Sequence, residues 1–211
     1  IHLNETQQDI EAHLQKHGMT PIERLHQFGL LNEDLMAVHM VHYKPQDLAI
    51  LKQSGCHIVT CPDANLKLGS GICDLKLFHE MGLNIAMGTD GAASNNDLDL
   101  LAEAKLAGML AKGLHHDPTI FPAYDMLKML TIQGAKCLGL DDQIGSLCAG
   151  KKADIVAIDM QHLNSYPQHH PASQVMYALN SRQISDVWIA GKPCLKMGNW
   201  CQYGADSLIE I

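Results

Sequence analysis

The sequence lacks the features that mark several classes of protein. Among its 211 residues, no apolar run approaches the ~20 residues that a membrane-spanning helix requires. No cluster of Lys and Arg is present and the formal net charge is -8, so nucleic acid, which needs a basic patch, is not an expected partner. None of the seven cysteines forms a CxxC pair, which favours free thiols in a reducing compartment. We therefore expect a cytoplasmic protein that binds neither membranes nor nucleic acids.

The first two-thirds of the chain alternate between short apolar segments and helical patterns. The apolar segments are HLNE, LMAVHMVHY, HIVTC and NIAMG, and each is followed by at least one amphipathic stretch. The second of them, Leu35–Tyr43, is apolar on both alternating faces, as a parallel strand covered on both sides should be. Repeated strand–helix units predict a parallel α/β sheet or barrel.

Two helix starts can be read directly from the sequence. Thr20 and Glu23 stand three residues apart around Pro21, which is the pattern of a capping box with proline in the first turn. Asn95 or Asn96 is available to cap the long helical pattern that follows NIAMG. These residues predict where two of the helices begin.

The last third of the chain has a different character. Short β-branched segments, KKADIVAID, QISDVWIAGKPCL and NWCQYG, are separated by glycine-containing turns. The change falls between Gly145 and Lys152. We therefore predict two domains, residues 1–144 with the parallel strands and residues 145–211 with a small β-rich fold. A closed (β/α)8 barrel takes about 250 residues, so the four units in the first domain amount to half a barrel.

Side chains that can bind metal or transfer protons lie at or just after three of the predicted strands. His2 and Glu5 belong to the first, His39 to the second, and Asp90 follows the last apolar segment. The carboxyl ends of parallel strands meet at one edge, so these side chains should lie close together. Two histidines and two carboxylates suit a metal-dependent hydrolase, in which a divalent metal lowers the pKa of water to about 7.

Each of these residues also has a plainer interpretation. Asp90, in a Thr-Asp-Gly segment, can simply begin a turn. His2 and Glu5 can be an exposed pair, and His39 can be a buried histidine whose hydrogen bonds are satisfied inside the core. The hydrolase hypothesis depends on all four residues occurring together in strand order.

Several strings of residues resemble one known family. HLNET, AVHMVH, ANLKLGSG and GTDGAASNNDLDLL, in this order, and later GSLCAGKKADIVAID, resemble the amidohydrolase superfamily. Within it they resemble the 5-methylthioadenosine/S-adenosylhomocysteine deaminase group, a neighbour of the triazine hydrolases. The resemblance covers nearly the whole chain. It implies strands five to eight, the C-terminal half, of a metal-dependent (β/α)8 TIM barrel, followed by part of a β-sandwich built from both ends of the chain.

The resemblance also implies a role for each of the four residues. His2 and Asp90 would bind one divalent metal, Zn²⁺ or an alternative ion. Glu5 would contact the purine and protonate a ring nitrogen, and His39 would orient the attacking water. Asp90 would also accept the proton of that water and contact the substrate. The implied reaction is the hydrolytic deamination of an adenine nucleoside, a small-molecule substrate, by metal-activated water. Guanine deamination and s-triazine hydrolysis are alternatives on the same residues.

One part of the family pattern is absent from the sequence. The HxH motif that supplies two metal-binding histidines in the family does not occur in these 211 residues. We therefore expect an N-terminal half of the barrel, in the same chain or a separate one, as the partner of this segment. The alternative is a catalytically incomplete fragment or scaffold. The resemblance further implies a homo-oligomer.

Overall fold

A computed structural model describes residues 1–201 as two sheets with helices between their strands. The predicted strand in NWCQYG is described only as far as Cys201, and residues 202–211 lie outside the described part. The first sheet is parallel and its strands follow one another in sequence order. Its strands are β1 (His2–Leu3), β2 (Met36–His39), β3 (His57–Thr60) and β4 (Asn84–Met87).

Helices make every connection between the parallel strands, as parallel pairing requires. Those before β4 are α1 (Gln7–His17), α2 (Pro21–Gln27), α3 (Pro45–Ser54), α4 (Pro62–Lys67) and α5 (Leu75–Glu80). Those after β4 are α6 (Ala92–Asn95), α7 (Leu100–His115), α8 (Ala123–Met129) and α9 (Ile132–Cys137). None of the helices among residues 1–201 is long and apolar enough to cross a membrane.

The second sheet is antiparallel and is formed entirely by residues after position 150. Its strands, again in sequence order, are β5 (Ile155–Ile158), β6 (Ile184–Ile189), β7 (Lys192–Lys196) and β8 (Asn199–Trp200). The connection from β5 to β6 contains short helical turns, which are Leu163–Ser165, α10 (Pro171–Ser173), the π-helical turn Gln174–Ala178 and Ser181–Gln183.

The main core lies on one face of the parallel sheet. Ala37, Ile58 and Ile85 stand side by side on neighbouring strands, and each is at most 1% exposed. They pack in one cluster with helical residues such as Phe78 and Met126. The opposite face is only partly covered, because its residues on β2 and β3, such as Val38 and Val59, are half-buried. The strand β2, expected to be covered on both sides, is buried on one face and partly covered on the other among residues 1–201.

The second strand is shorter than the predicted Leu35–Tyr43. It ends at His39, where the backbone turns into the left-handed region with φ of 76° at His39 and 45° at Met40. Beyond this turn the side chains no longer alternate between two faces. His42 instead bonds through Nε2 to the carbonyl oxygen of Ser70, at 2.8 Å. The turn is what directs His39 to the edge of the sheet.

One predicted helix start is confirmed and one is wrong. Thr20 and Glu23 form the expected reciprocal capping box, with Pro21 in the first turn of α2. The long helix α7 is capped by Asp99, whose carboxylate accepts from the backbone N–H groups of Leu101 and Ala102. Asn95 and Asn96 belong instead to the short helix α6 and its end. Asn95 is buried there, and its side chain donates to the Glu103 carboxylate of α7 instead of capping the start of that helix.

Candidate active site

The tips of the parallel strands bring all four predicted residues together. His2 Nε2 lies 3.5 Å from Asp90 Oδ1, and His39 Nε2 lies 3.8 Å from Glu5 Oε2. The rings of His2 and His39 meet edge to face with centroids 4.6 Å apart. One potential ligand atom from each of His2, Glu5 and His39 falls within 4.8 Å of the others. The result is a compact cluster of two imidazoles and two carboxylates.

The backbone at these tips is unusual and explains the convergence. Asn4, His39 and Asp90 have φ values of 53°, 76° and 61°. Residues other than glycine rarely adopt this left-handed backbone conformation, which turns the chain sharply away from the strand direction. The left-handed residues therefore stand at the end of β2 and just beyond the ends of β1 and β4, next to the four side chains of the cluster.

His2 and Asp90 have the spacing that two ligands of one metal would need. Ligand atoms at about 2.1 Å from a tetrahedral zinc lie roughly 3.4 Å from one another. The observed separation of 3.5 Å between His2 Nε2 and Asp90 Oδ1 agrees with this value. The side chain of His2 is 63% exposed, so space remains around it for further ligands. Imidazole nitrogen and carboxylate oxygen are both donors that Zn²⁺ accepts.

Asp90 is held in its ionised form by its surroundings. Partial burial alone would raise the pKa of this carboxyl. That effect is outweighed by hydrogen bonds from the Ser94 hydroxyl, 2.5 Å from Oδ2, and from the backbone N–H of Gly91, together with the fields of His39 and His2. The net result is a pKa below the usual value, which keeps a carboxylate available to a metal or a proton.

Glu5 and His39 are supported by a segment to which the sequence analysis assigned no role. Ser70 donates its hydroxyl proton to Glu5 Oε1 at 3.1 Å, and His39 Nδ1 lies 2.8 Å from Asn65 Oδ1. Asn65 and Ser70 belong to the string NLKLGSG, which carried the family resemblance. Their burial, with Asn65 1% and Ser70 8% exposed, is the signal of their importance, and a sequence does not reveal burial.

An open groove of about 640 Å³ borders the cluster along β1, α1 and α2. His2 and Glu5 line its inner end, and Arg24 and Phe28 lie on the wall formed by α2 and its end. Its size is within the range of small-molecule sites. The groove therefore opens on the cluster at His2 and Glu5.

Two histidines and two carboxylates at the carboxyl ends of parallel strands are typical of metal-dependent hydrolases. The chain belongs to the amidohydrolase family, whose model matches residues 1–194.

Individual relatives agree with this assignment. The chain is 44% identical over 196 residues to the 5-methylthioadenosine/S-adenosylhomocysteine deaminase of Teredinibacter turnerae, which covers 93% of this chain and 44% of the relative. A zinc-bound adenosine deaminase from Xanthomonas campestris matches with a TM-score of 0.95 and 40% identity, over 99% of this chain and 48% of that one. Escherichia coli guanine deaminase matches with a TM-score of 0.82 and 26% identity, over 92% of this chain and 47% of that one. The chain thus spans about half the length of the relatives it matches.

Proposed function

We propose that this chain contributes the metal-binding and proton-transfer residues of a hydrolase that deaminates an adenine nucleoside of the 5-methylthioadenosine/S-adenosylhomocysteine type. The observation that carries the proposal is the cluster itself, with His2 next to Asp90 at 3.5 Å and His39 next to Glu5 at 3.8 Å. A relative that is 44% identical to this chain is named a deaminase of this type, which supports the substrate class.

We also infer a domain organisation from the two sheets. Residues 1–144 would be the C-terminal half, strands five to eight, of a (β/α)8 barrel, and residues 145–211 the C-terminal part of a β-sandwich domain. The sequential parallel order, the single well-covered face and an outer edge of β1 that has no strand partner among residues 1–201 all support half a barrel. An N-terminal half would pair with that edge. An unpaired edge of this kind is otherwise a liability for a protein.

Each residue of the cluster has a chemical task in this proposal. A divalent metal, when bound by His2 and Asp90, supplies a water molecule that is acidic enough to react near neutral pH. The Asp90 carboxylate, kept ionised by Ser94, accepts the proton of the nucleophile. One proton of the water passes through Glu5 Oε2 to a ring nitrogen of the purine, so that no negative charge accumulates there. The proton taken up by Asp90 passes to the amino group, which leaves as ammonia when its bond to the ring carbon breaks, and the oxygen stays on that carbon. His39, whose Nε2 makes no hydrogen bond among residues 1–201, holds the nucleophile in line.

Guanine deamination is the second candidate reaction. The match to Escherichia coli guanine deaminase, with a TM-score of 0.82, favours it as an alternative on the same fold. Glu5 suits either purine and an s-triazine ring equally well, because all three present ring nitrogens that need a proton. Turnover of 5′-methylthioadenosine, S-adenosylhomocysteine and guanine, measured by ammonia release, and of a chloro-s-triazine, measured in parallel by chloride release, distinguishes the candidates. A catalytically incomplete scaffold would turn over none of them.

Substitution of Asp90 tests the proposal directly. In the longest protein encoded by the reading frame of this chain, Asp90→Asn should lower kcat for the adenine nucleoside by about 10³-fold or more, because it removes a proton acceptor and a metal ligand. Asp34→Asn, which changes an exposed carboxylate, is the matched control and should keep wild-type turnover. Activity of Asp90→Asn within a few-fold of the wild type would refute the assignment.

The seven cysteines bear on the expected compartment. All seven are free thiols, and four of them, Cys56, Cys61, Cys73 and Cys137, are buried. Burial raises the pKa of Cys61 to about 12 and of Cys137 to about 11, so these thiols are protonated and unreactive. Unreactive structural thiols are compatible with the cytoplasm as the proposed location.

A further inference from the structure

One short segment contacts both Glu5 and His39. Asn65 lies in α4, and Ser70 lies just beyond the end of that helix. The two residues are tied together because the backbone N–H of Ser70 donates to the carbonyl oxygen of Asn65 at 2.8 Å. A movement of this segment would therefore displace both of its side-chain contacts at once.

The contact between Asn65 and His39 determines how the imidazole is protonated. Both residues are buried, at 1% and 0% exposure, so water does not compete for their polar atoms. With Asn65 Oδ1 2.8 Å from His39 Nδ1, the amide oxygen accepts and Nδ1 must carry the hydrogen. In the neutral ring, Nε2 then presents a lone pair. This atom has no hydrogen-bond partner among residues 1–201 and lies 3.8 Å from Glu5 Oε2.

The contact between Ser70 and Glu5 orients the carboxylate. The Ser70 hydroxyl donates to Oε1 at 3.1 Å, which leaves Oε2 as the oxygen that points towards His39. The backbone of Ser70 is fixed in turn, because its carbonyl oxygen accepts from His42 Nε2 at 2.8 Å. The serine is thus anchored on both sides before it contacts Glu5.

We propose that Asn65 and Ser70 are positioning residues, Asn65 presenting the lone pair of His39 Nε2 to the nucleophile and Ser70 presenting the Oε2 atom of Glu5 to the ring nitrogen. This inference rests on the proposed function of the cluster. Asn65 acts by fixing the tautomer of His39, with the hydrogen on Nδ1. Ser70 acts by fixing the rotation of the Glu5 carboxylate.

A purely structural role explains Asn65 poorly. Its Nδ2 atom is buried and has no hydrogen-bond partner among residues 1–201. Burying an amide donor without a partner is unfavourable, and an apolar side chain of similar size would avoid that cost but leave the buried Nδ1–H of His39 without an acceptor. The carboxamide is explained if its oxygen is needed by His39.

A second asparagine–histidine pair in the same sheet provides an internal comparison. Asn84 Nδ2 lies 3.0 Å from His57 Nδ1, and the same Nδ2 also donates to the carbonyl oxygen of Gln133 at 2.9 Å. The amide nitrogen is therefore the donor, and His57 Nδ1 must accept. The two histidines should have opposite tautomers, with the hydrogen on Nδ1 in His39 and on Nε2 in His57.

Long-range 1H–15N spectra of the 15N-histidine-labelled, metal-free protein from the complete reading frame test this directly. Signals of His39 are assigned by their loss in His39→Gln. We expect the Nδ1–H tautomer for His39 and the Nε2–H tautomer for His57. Asn65→Leu should give His39 a mixture of tautomers and leave the tautomer of His57 unchanged. Asn84→Leu should give His57 a mixture and leave the tautomer of His39 unchanged. Asn65→Asp, which keeps an oxygen acceptor, should retain the wild-type signal of His39.

Kinetics provide the second readout. Asn65→Leu and Ser70→Ala should each lower kcat about 10–100-fold with little change in KM, the range seen for groups that orient reacting residues. Asn65→Asp should recover most of the loss, and Ser54→Ala, at a remote serine of α3, is the control for Ser70.

The role of Asn65 would be overturned if wild-type His39 carried its hydrogen on Nε2. It would also be overturned if the tautomer of His39 were the same in Asn65→Leu as in the wild type. A kcat of Ser70→Ala equal to that of Ser54→Ala would overturn the role of Ser70. Absence of deamination by the wild type would instead count against the proposed function, and the spectra would still decide the tautomer.

Discussion

Glu103 is a buried carboxylate that lies outside the candidate active site. It is 1% exposed on α7, and it accepts hydrogen bonds from the backbone N–H of Asp63 at 3.0 Å and from Asn95 Nδ2 at 2.5 Å. Glu103 therefore links α7 to the start of α4 and to the end of α6. Desolvation by burial raises the pKa of Glu103 to about 7, although both hydrogen bonds act in the opposite direction.

The raised pKa of Glu103 predicts how stability depends on pH. The folded state holds a proton on Glu103 up to about pH 7, and the unfolded state releases it near the ordinary glutamate pKa of 4.5. Between these two pKa values the folded protein binds one proton more than the unfolded protein. The stability that Glu103 contributes is therefore fully present below pH 4.5 and is lost as the pH rises through about 7. The total loss in the free energy of unfolding is about 3 kcal/mol at most.

A comparison with Glu103→Gln isolates this effect. The substitution should destabilise the protein at pH 5 by about 1–3 kcal/mol, because the amide cannot accept on both sides. The difference from the wild type should shrink towards pH 8, where the wild type carries a buried charge. Urea unfolding at both pH values measures it. A difference that is constant with pH would show that Glu103 does not titrate in this range.

At the level of single elements, the start of α2 illustrates how a cap can join two helices. The Thr20 hydroxyl accepts from the backbone N–H of Glu23 and donates to Asp47 Oδ1 at 2.6 Å, and both Thr20 and Asp47 are fully buried. Asp47 Oδ2 in turn accepts from the backbone N–H of Lys44 at the start of α3. One hydroxyl therefore connects the N-termini of α2 and α3.

Thr20→Ala should for this reason cost more than the loss of an ordinary cap. We expect a decrease of about 2 kcal/mol or more in unfolding free energy, because the cap is lost and the buried Asp47 loses a donor. Thr6→Ala is the matched control, since Thr6 forms the same capping box at the exposed start of α1. It should cost about 1 kcal/mol. Equal losses in chemical denaturation would contradict the role of the Asp47 contact.

Helix α7 contains two glycines with opposite surroundings. A Cβ atom at Gly108 would lie 1.9 Å from Met126 Sδ in the core, whereas at Gly113 it would meet nothing within 4 Å among the described residues. Gly108→Ala should therefore destabilise the protein by about 1–3 kcal/mol through overpacking. Gly113→Ala should stabilise it by up to about 1 kcal/mol, the helix preference of alanine over glycine. Thermal unfolding that moves in the same direction for both would show that packing at Met126 is not limiting.

The sequence was informative about elements whose signals are local. The capping box of Thr20 and Glu23 and the positions of the parallel strands follow from short patterns, and the structure has them. The choice of Asp99 over Asn95 as the cap of α7 could not be predicted. Asn95 is drawn into the buried contact with Glu103, and that contact depends on tertiary packing. The end of β2 at His39 depends likewise on a left-handed turn that no glycine announces.

The site residues were predicted by a different route. Their strand order suggested a cluster, and the family resemblance supplied a role for each. Asn65 and Ser70 received none, although they lie inside a quoted motif, because their importance comes from contacts 26 and 65 residues away in the chain. Contacts over such separations appear only when the strands are assembled.

At the scale of the whole molecule, the proposal of half a barrel predicts how zinc is retained. In this proposal the chain offers His2 and Asp90 as ligands, and firm tetrahedral binding takes additional donors. The protein from the complete reading frame should keep about one zinc per chain after desalting, and the isolated 211-residue chain should lose it. Intact mass and elemental analysis of both preparations measure this. Zinc retained equally by the isolated chain would mean that the donors within it suffice.

Removal of the metal should abolish turnover reversibly. A chelator should stop deamination by the complete protein, and added Zn²⁺ should restore it. Light scattering on the same sample would test the expected homo-oligomer. Full activity in metal-free protein would refute the assignment of His2 and Asp90 as metal ligands.

The left-handed strand tips also bear on how this protein can change over generations. Asn4, His39 and Asp90 each adopt a backbone conformation that costs an ordinary side chain about 1 kcal/mol. Selection for thermal tolerance alone would favour relaxing these positions, whereas selection for turnover would keep them. A mutant library screened first by heat and then by activity should therefore separate into two groups of sequences at the same three tips.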